Sequence, residues 1–262
     1  EVKHSGEAEY GDLLLNVFNP AELIGKLKSV LKRSGFRHLY ILVDDFSSEE
    51  YRVQTFKLKV SVIKNIRVSN SPKKDAISTA MQTSENDWII TTDADCVVNE
   101  NWLLSLDNYI QLNDVSMIAG AVTYECENSF LHHFQQLDLA SLQGATIGSF
   151  GLRKGFMCNG ANFAYTKSFF QDLNGFDGND EIASGDDVFL LQKAIAQFPE
   201  KVHYLKSGNN IVITKPANDW KSLFYQRVRW ASKTGSYQSR FGIGLGLIVT
   251  AVITALVALV LK

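Results

Sequence analysis

Three pairs of carboxylates carry the chemistry this sequence offers: Asp44 with Asp45, Asp93 with Asp95, and Asp186 with Asp187. One acidic pair after an apolar run is an ordinary turn or helix cap. Three such pairs, each beside the end of a regular element, can converge on one cleft, where their mutual repulsion calls for a compensating cation. Hard divalent ions, Mn²⁺ or Mg²⁺, take oxygen ligands of this kind and leave positions for phosphate oxygens. The pattern therefore points to a bound diphosphate, with Asp93 and Asp95, two residues apart, bridging the metal. Asp186 and Asp187 directly precede a predicted helix, whose free amides stabilise carboxylates. Asp187 is the candidate general base, and Asp186 has an N-terminal cap as its plain alternative role.

The elements that must position these acids read as alternating strands and helices. An apolar run at 12–18 predicts a strand, and 19–33 has helical spacing through Leu23, Leu27, Val30 and Leu31, with Asn19 as cap and Pro20 in the first turn. A buried strand at 38–48 runs into Asp44 and Asp45. A strand at 60–66 leads to a helix at 71–84, and 87–96 repeats the pattern of an apolar strand ending in acids, followed by a helix at 99–112. Further along, 115–125 reads as a strand, 132–150 as a helix, 161–165 as a short strand before another helix, and 188–199 as a helix stopped by Pro199. VHYLK and NIVITK read as strands, and 219–234 as a helix carrying Trp220, Phe224, Arg229 and Trp230. Strands alternating with helices predict an α/β sheet that collects its ligands at the strand carboxyl ends.

Composition narrows the class. The chain has 262 residues, 45% of them hydrophobic, with 26 Lys plus Arg against 28 Asp plus Glu. That excludes a disordered tail, and a net charge of −2 argues against a nucleic-acid partner, which would demand a basic stripe. Cys96, Cys126 and Cys158 form no CxxC pair, so neither a disulfide framework nor a thiolate zinc site is indicated, and a reducing compartment fits best. The first 30 residues lack the basic, apolar and small-residue succession of a signal peptide.

The mean hydropathy of −0.05 hides one uneven feature. Residues 243–261 contain no charge, and as a helix would span roughly 28 Å, close to the ~30 Å hydrocarbon layer of a bilayer. The expectation is a transmembrane helix over 242–262, cut at its end, with a catalytic domain at 1–240 facing the cytoplasm from a cell inner membrane. Residues 219–240 would then be an interfacial region.

With the motifs in order, the sequence resembles a family 2 glycosyltransferase of the GT-A fold, in the membrane-associated branch of cellulose, hyaluronan and poly-N-acetylglucosamine synthases. VDDFSS at 43–48 matches the VDDGS nucleotide-binding signature, TTDADC at 91–96 the DxD metal segment, SGDD at 184–187 the TED or GED base motif, and QRVRW at 226–230 the Q/RxxRW motif. The resemblance covers about 12–240 and departs at Phe46, which stands for glycine, and at Asn19-Pro20-Ala21 in place of RNEE. It implies a Rossmann-like fold with a mixed central sheet. It also implies nucleobase or ribose contacts from Asp44 and Asp45, metal on Asp93 and Asp95, and Asp187 as base. Lys73 and Lys74 lie where relatives carry a GKxxAL segment, and Lys74 is taken as a donor-phosphate contact. Arg229 is expected to steady the leaving diphosphate, Gln226 to orient polar groups, and Trp230 to stack on an acceptor sugar or anchor the helix. The implied activity is inverting transfer from a nucleoside-diphosphate sugar to a lipid-linked or glycan acceptor at a membrane. The alternatives are a catalytically degenerate sugar-nucleotide scaffold and a metal-dependent nucleotidyltransferase.

Overall fold

The central strands are buried at consecutive positions, as at residues 89–92, Met117–Gly120 and Phe163–Thr166, which is what a sheet covered on both faces requires. A computed structural model describes residues 12–17, 39–44, 59–84, 86–93, 96–178, 185–232 and 239–260. The strands are β1 (Asp12–Val17), β2 (Leu39–Asp44), β3 (Lys59–Lys64), β4 (Trp88–Asp93), β5 (Met117–Gly120), β6 (Val122–Tyr124), β7 (Phe163–Thr166), β8 (Val202–Leu205) and β9 (Val212–Thr214). The helices are α1 (Pro72–Thr83), α2 (Trp102–Leu112), α3 (Phe130–Gly151), α4 (Lys167–Asp172), α5 (Asp186–Gln197), α6 (Trp220–Ala231) and α7 (Arg240–Val260). The helix expected at 19–33 lies outside the described residues.

Seven strands form one sheet in the order β3-β2-β1-β4-β7-β5-β8. It is mixed, as expected: β7 runs antiparallel to both β4 and β5, and the other pairs are parallel. Register aligns Ile90, Ala164 and Ile118 across three strands, and Ile89, Tyr165 and Met117 one residue away. The first row faces Trp102, Leu103 and Leu106 of α2. The second faces Ala76, Ile77 and Ala80 of α1, with Leu190, Leu191 and Ala194 of α5. α1 and α5 thus share one face of the sheet.

The single strand expected at 115–125 divides. β5 stays in the main sheet, whereas β6 pairs with β9 in a separate two-stranded sheet. The break falls at Ala121, whose carbonyl accepts bonds from Asn162 Nδ2 and from the Val212 amide.

A buried carboxylate fixes the approach to α1. Asp75 accepts bonds from the amides of Val68 (3.2 Å) and Ser69 (3.1 Å), the Ser69 hydroxyl (2.8 Å) and Arg67 Nε (3.3 Å). Burial works to raise its pKa, but these donors outweigh it and hold the carboxyl below its usual 3.8. The stability Asp75 contributes is therefore present above pH 3.8 and lost as the pH falls through the lowered native value. Asp75→Asn should cost roughly 2 to 3 kcal/mol at neutral pH, read by urea denaturation, and the gap to wild type should close in acid.

The transmembrane expectation is corrected. Among the described residues no helix is long and apolar enough to cross a membrane. The end of the sequence forms α7 (Arg240–Val260). Its first turn packs on protein, with Phe241 against Phe156 at 5.9 Å between ring centroids. The expected inner-membrane location rested on that span and falls with it.

Candidate active site

The register of β1 brings two acidic segments to one edge. Asn16 pairs with Val43 on one side and Asp93 on the other, and Val17 pairs with Asp44. Asp44 and Asp93 therefore close β2 and β4 at the same carboxyl edge, two strand spacings or about 10 Å apart. The side chain of Asp44, and Asp45 and Asp95 entirely, lie outside the described residues.

At the end of β4, Asp93 meets a lysine. Lys73, in the first turn of α1, sets its ammonium 3.1 Å from Asp93 Oδ1 and 3.6 Å from Asp186 Oδ2. Burial works against this charge, but Asp186, Asp93 and Asp187 outweigh it and hold the ammonium well above the ordinary lysine range. Lys73 is thus a fixed cation among three carboxylates. The neighbouring Lys74, expected to contact phosphate, is directed elsewhere: the residue is 2% exposed, and its ammonium lies over the rings of Phe189 and Phe176, 5.4 and 5.7 Å from their centroids. Successive helical residues diverge by about 100°, so only one of two adjacent lysines can face the cleft.

Gly185 provides the entry to α5 with φ of 83°, a left-handed conformation that side chains resist. Asp186 and Asp187 follow in the first turn. Asp187 Oδ2 accepts the Gly160 amide at 2.7 Å, and Oδ1 accepts the Val188 amide at 2.8 Å. Burial and repulsion from Asp186 push its pKa above 3.8, against the opposing pull of Lys73 and the two amides. A carboxylate so placed is a stronger proton acceptor than one in water. Gly160 leaves the space open: a Cβ there would come within 3.2 Å of Lys73 Nζ and 3.5 Å of Asp187 Oδ2.

The third expected group sits apart. Gln226, Arg229 and Trp230 all lie on α6, but no ion pair ties Arg229 to the carboxylate cluster among the described residues, and Arg229 is exposed. The engaged guanidinium is that of Arg227, which bonds Asp138 of α3 at 2.5 Å, donates to Gln226 Oε1 at 2.7 Å and covers the Trp230 ring at 4.2 Å. Gln226 and Trp230 are therefore tied to a helix-to-helix clamp.

The structure thus brings together Lys73, Asp93, Asp186 and Asp187 and adds Gly160 and Arg227 to the residues of interest. Nothing in sequence spacing marks Gly160, which reaches Asp187 across 27 positions. Among the described residues no group of three or more His, Cys, Asp or Glu side chains could hold a metal ion. The chemistry of Asp93 nevertheless suits a hard cation: it is an oxygen donor at a strand end, with its side chain 41% exposed.

Solved structures share the fold at low identity. Crystal structures of S. aureus TarS are similar: the 1–349 form at 15% identity and TM-score 0.55, over 83% of this chain and 64% of that one. The longer TarS chain matches at 13% and 0.56, over 87% and 40%, and the 1–349 form in complex with UDP-GlcNAc at 14% and 0.56, over 81% and 60%. This chain therefore spans between 40% and 64% of the length of those proteins. No curated protein matches it. The family model for glycosyl transferase family 2 matches residues 16–173, more than half of the chain. The protein belongs to glycosyltransferase family 2.

Proposed function

We propose that the enzyme transfers a sugar from a nucleoside-diphosphate donor to a hydroxyl of a glycan acceptor with inversion at the anomeric carbon, and that Asp187 is the base. The observation that carries this reading is the pairing of a buried, proton-hungry carboxylate on two backbone amides with a cationic Lys73 that reaches across to Asp93.

Asp187 takes the proton of the acceptor hydroxyl as its oxygen bonds to the anomeric carbon. The bond from that carbon to the diphosphate breaks on the opposite face, and its electron pair leaves with the diphosphate. Lys73 is the described cation nearest this event and supplies charge to the departing phosphate. Asp44 and Asp45 serve the nucleoside end, with Asp44 closing β2 about 10 Å along the same edge from Asp93. Mn²⁺ or Mg²⁺, held by Asp93 and Asp95, would neutralise charge on the diphosphate. Arg229 is assigned to the leaving diphosphate and Trp230 to the acceptor sugar.

Incubating the protein with a panel of nucleoside-diphosphate sugars and oligosaccharides, with and without Mn²⁺, tests the reading. Nucleoside diphosphate and an acceptor heavier by one sugar are expected, and only with Mn²⁺. Release of inorganic pyrophosphate from a nucleoside triphosphate, with no sugar transfer, would replace it with a nucleotidyltransferase.

A further inference from the structure

We infer that Thr91 is a positioning residue for the base, acting through the backbone of Gly160; the inference rests on the assignment of Asp187 as that base. Thr91 lies in β4, two residues before Asp93, and is buried. Its hydroxyl donates to the Gly160 carbonyl at 2.7 Å, with the Phe163 carbonyl at 3.2 Å as a second, longer acceptor. The amide of the same Gly160 donates to Asp187 Oδ2 at 2.7 Å. One side chain therefore holds one end of a residue whose other end holds the base.

The turn around Gly160 has few other ways to move. Asn159 Oδ1 accepts the Ala161 amide at 3.0 Å and caps the short helical turn Gly160–Asn162. Asn162 is buried, accepts from Trp102 Nε1 at 3.1 Å and donates to the Ala121 carbonyl at 2.8 Å. Asn162 thus fixes the far end of the turn to α2 and to the end of β5. Thr91 fixes the near end, facing the cleft. Because Thr91 and Asp93 share one strand, the same segment that ends in the diphosphate-side carboxylate also sets the base. A hydroxyl is required for this, since an apolar side chain of equal size would leave the Gly160 carbonyl unheld and the amide free to tilt away from Asp187 Oδ2.

Displacing a reacting group by a fraction of an ångström to one ångström lowers turnover by up to about 100-fold. Thr91→Val keeps shape and removes the hydroxyl; Thr91→Ser keeps the hydroxyl. Steady-state transfer should show kcat of T91V lower by roughly tenfold or more, donor KM within about twofold of wild type, and T91S restored to near wild-type kcat. Wild-type kcat in T91V, a raised donor KM with unchanged kcat, or equal loss in T91S and T91V would overturn the inference. Should T91V fail to give a cooperative thermal transition, T91A carries the same expected split against T91S, with the same contrary results. Failure of the underlying reading is separate: there, wild type transfers no sugar or Asp187→Asn retains full turnover.

Discussion

Asp187→Asn should lower kcat by roughly 10²- to 10⁴-fold, the usual contribution of a general base, with donor affinity close to wild type. The carboxamide keeps the size of the side chain and one acceptor for the Gly160 or Val188 amide, and it cannot take a proton from the acceptor hydroxyl. Donor binding by calorimetry separates this from a loss of fold, because the nucleoside and diphosphate contacts lie on other elements. Wild type should also show an acid limb in its kcat–pH profile. Asp187 must be ionised to act, and burial with the neighbouring Asp186 places its pKa above 3.8, so turnover falls at a higher pH than a free aspartate would set. Asp187→Asn should lose that limb along with the rate. An unshifted acid limb in D187N would assign it to another group.

Lys73→Met should be the second large effect, with kcat/KM down by roughly 10²- to 10³-fold, comparable to loss of one electrostatic donor at a leaving group. Two further consequences identify the lysine as a charge within this cluster. Asp186, with its side chain 9% exposed, loses the cation at 3.6 Å, so the melting temperature should fall. Lys73 also holds the Asp187 carboxyl down against burial, so its removal should move the acid limb of kcat to still higher pH. Lys74→Met is the control: it should disturb packing against Phe176 and Phe189, and hence stability, while leaving the position of the acid limb unchanged. Equal loss of kcat/KM in both variants, with unshifted limbs, would remove Lys73 from the site.

What could be read from the sequence followed from local patterns. Alternating strand and helix signals yielded the α/β sheet, and apolar runs ending in acids placed Asp44 and Asp93 at its carboxyl edge. The left-handed Gly185 before two acids matches a helix start that gathers carboxylates onto free amides. Through-space relations were not legible. Thr91 reaches Gly160 across 69 positions and Arg227 reaches Asp138 across 89, distances at which spacing carries no information. The choice between Lys73 and Lys74 depends on the rotation of α1 about its axis, and Ala76, Ile77 and Ala80 all face the core without fixing which lysine tips toward Asp93. The strand expected at 115–125 divides because Asn162 and Val212 capture the Ala121 carbonyl. The apolar run at the end of the sequence misled for a related reason: hydropathy records what a helix could bury, and Phe156 shows that protein covers part of its first turn.

The configuration of the new glycosidic bond tests the central claim most directly. Proton NMR of the product formed from an α-linked nucleoside-diphosphate sugar should show the large anomeric coupling of a β-linkage for a gluco-configured residue, because one displacement driven by Asp187 inverts the carbon. An α-linked product would contradict a single base-assisted displacement, and with it the role assigned to Asp187.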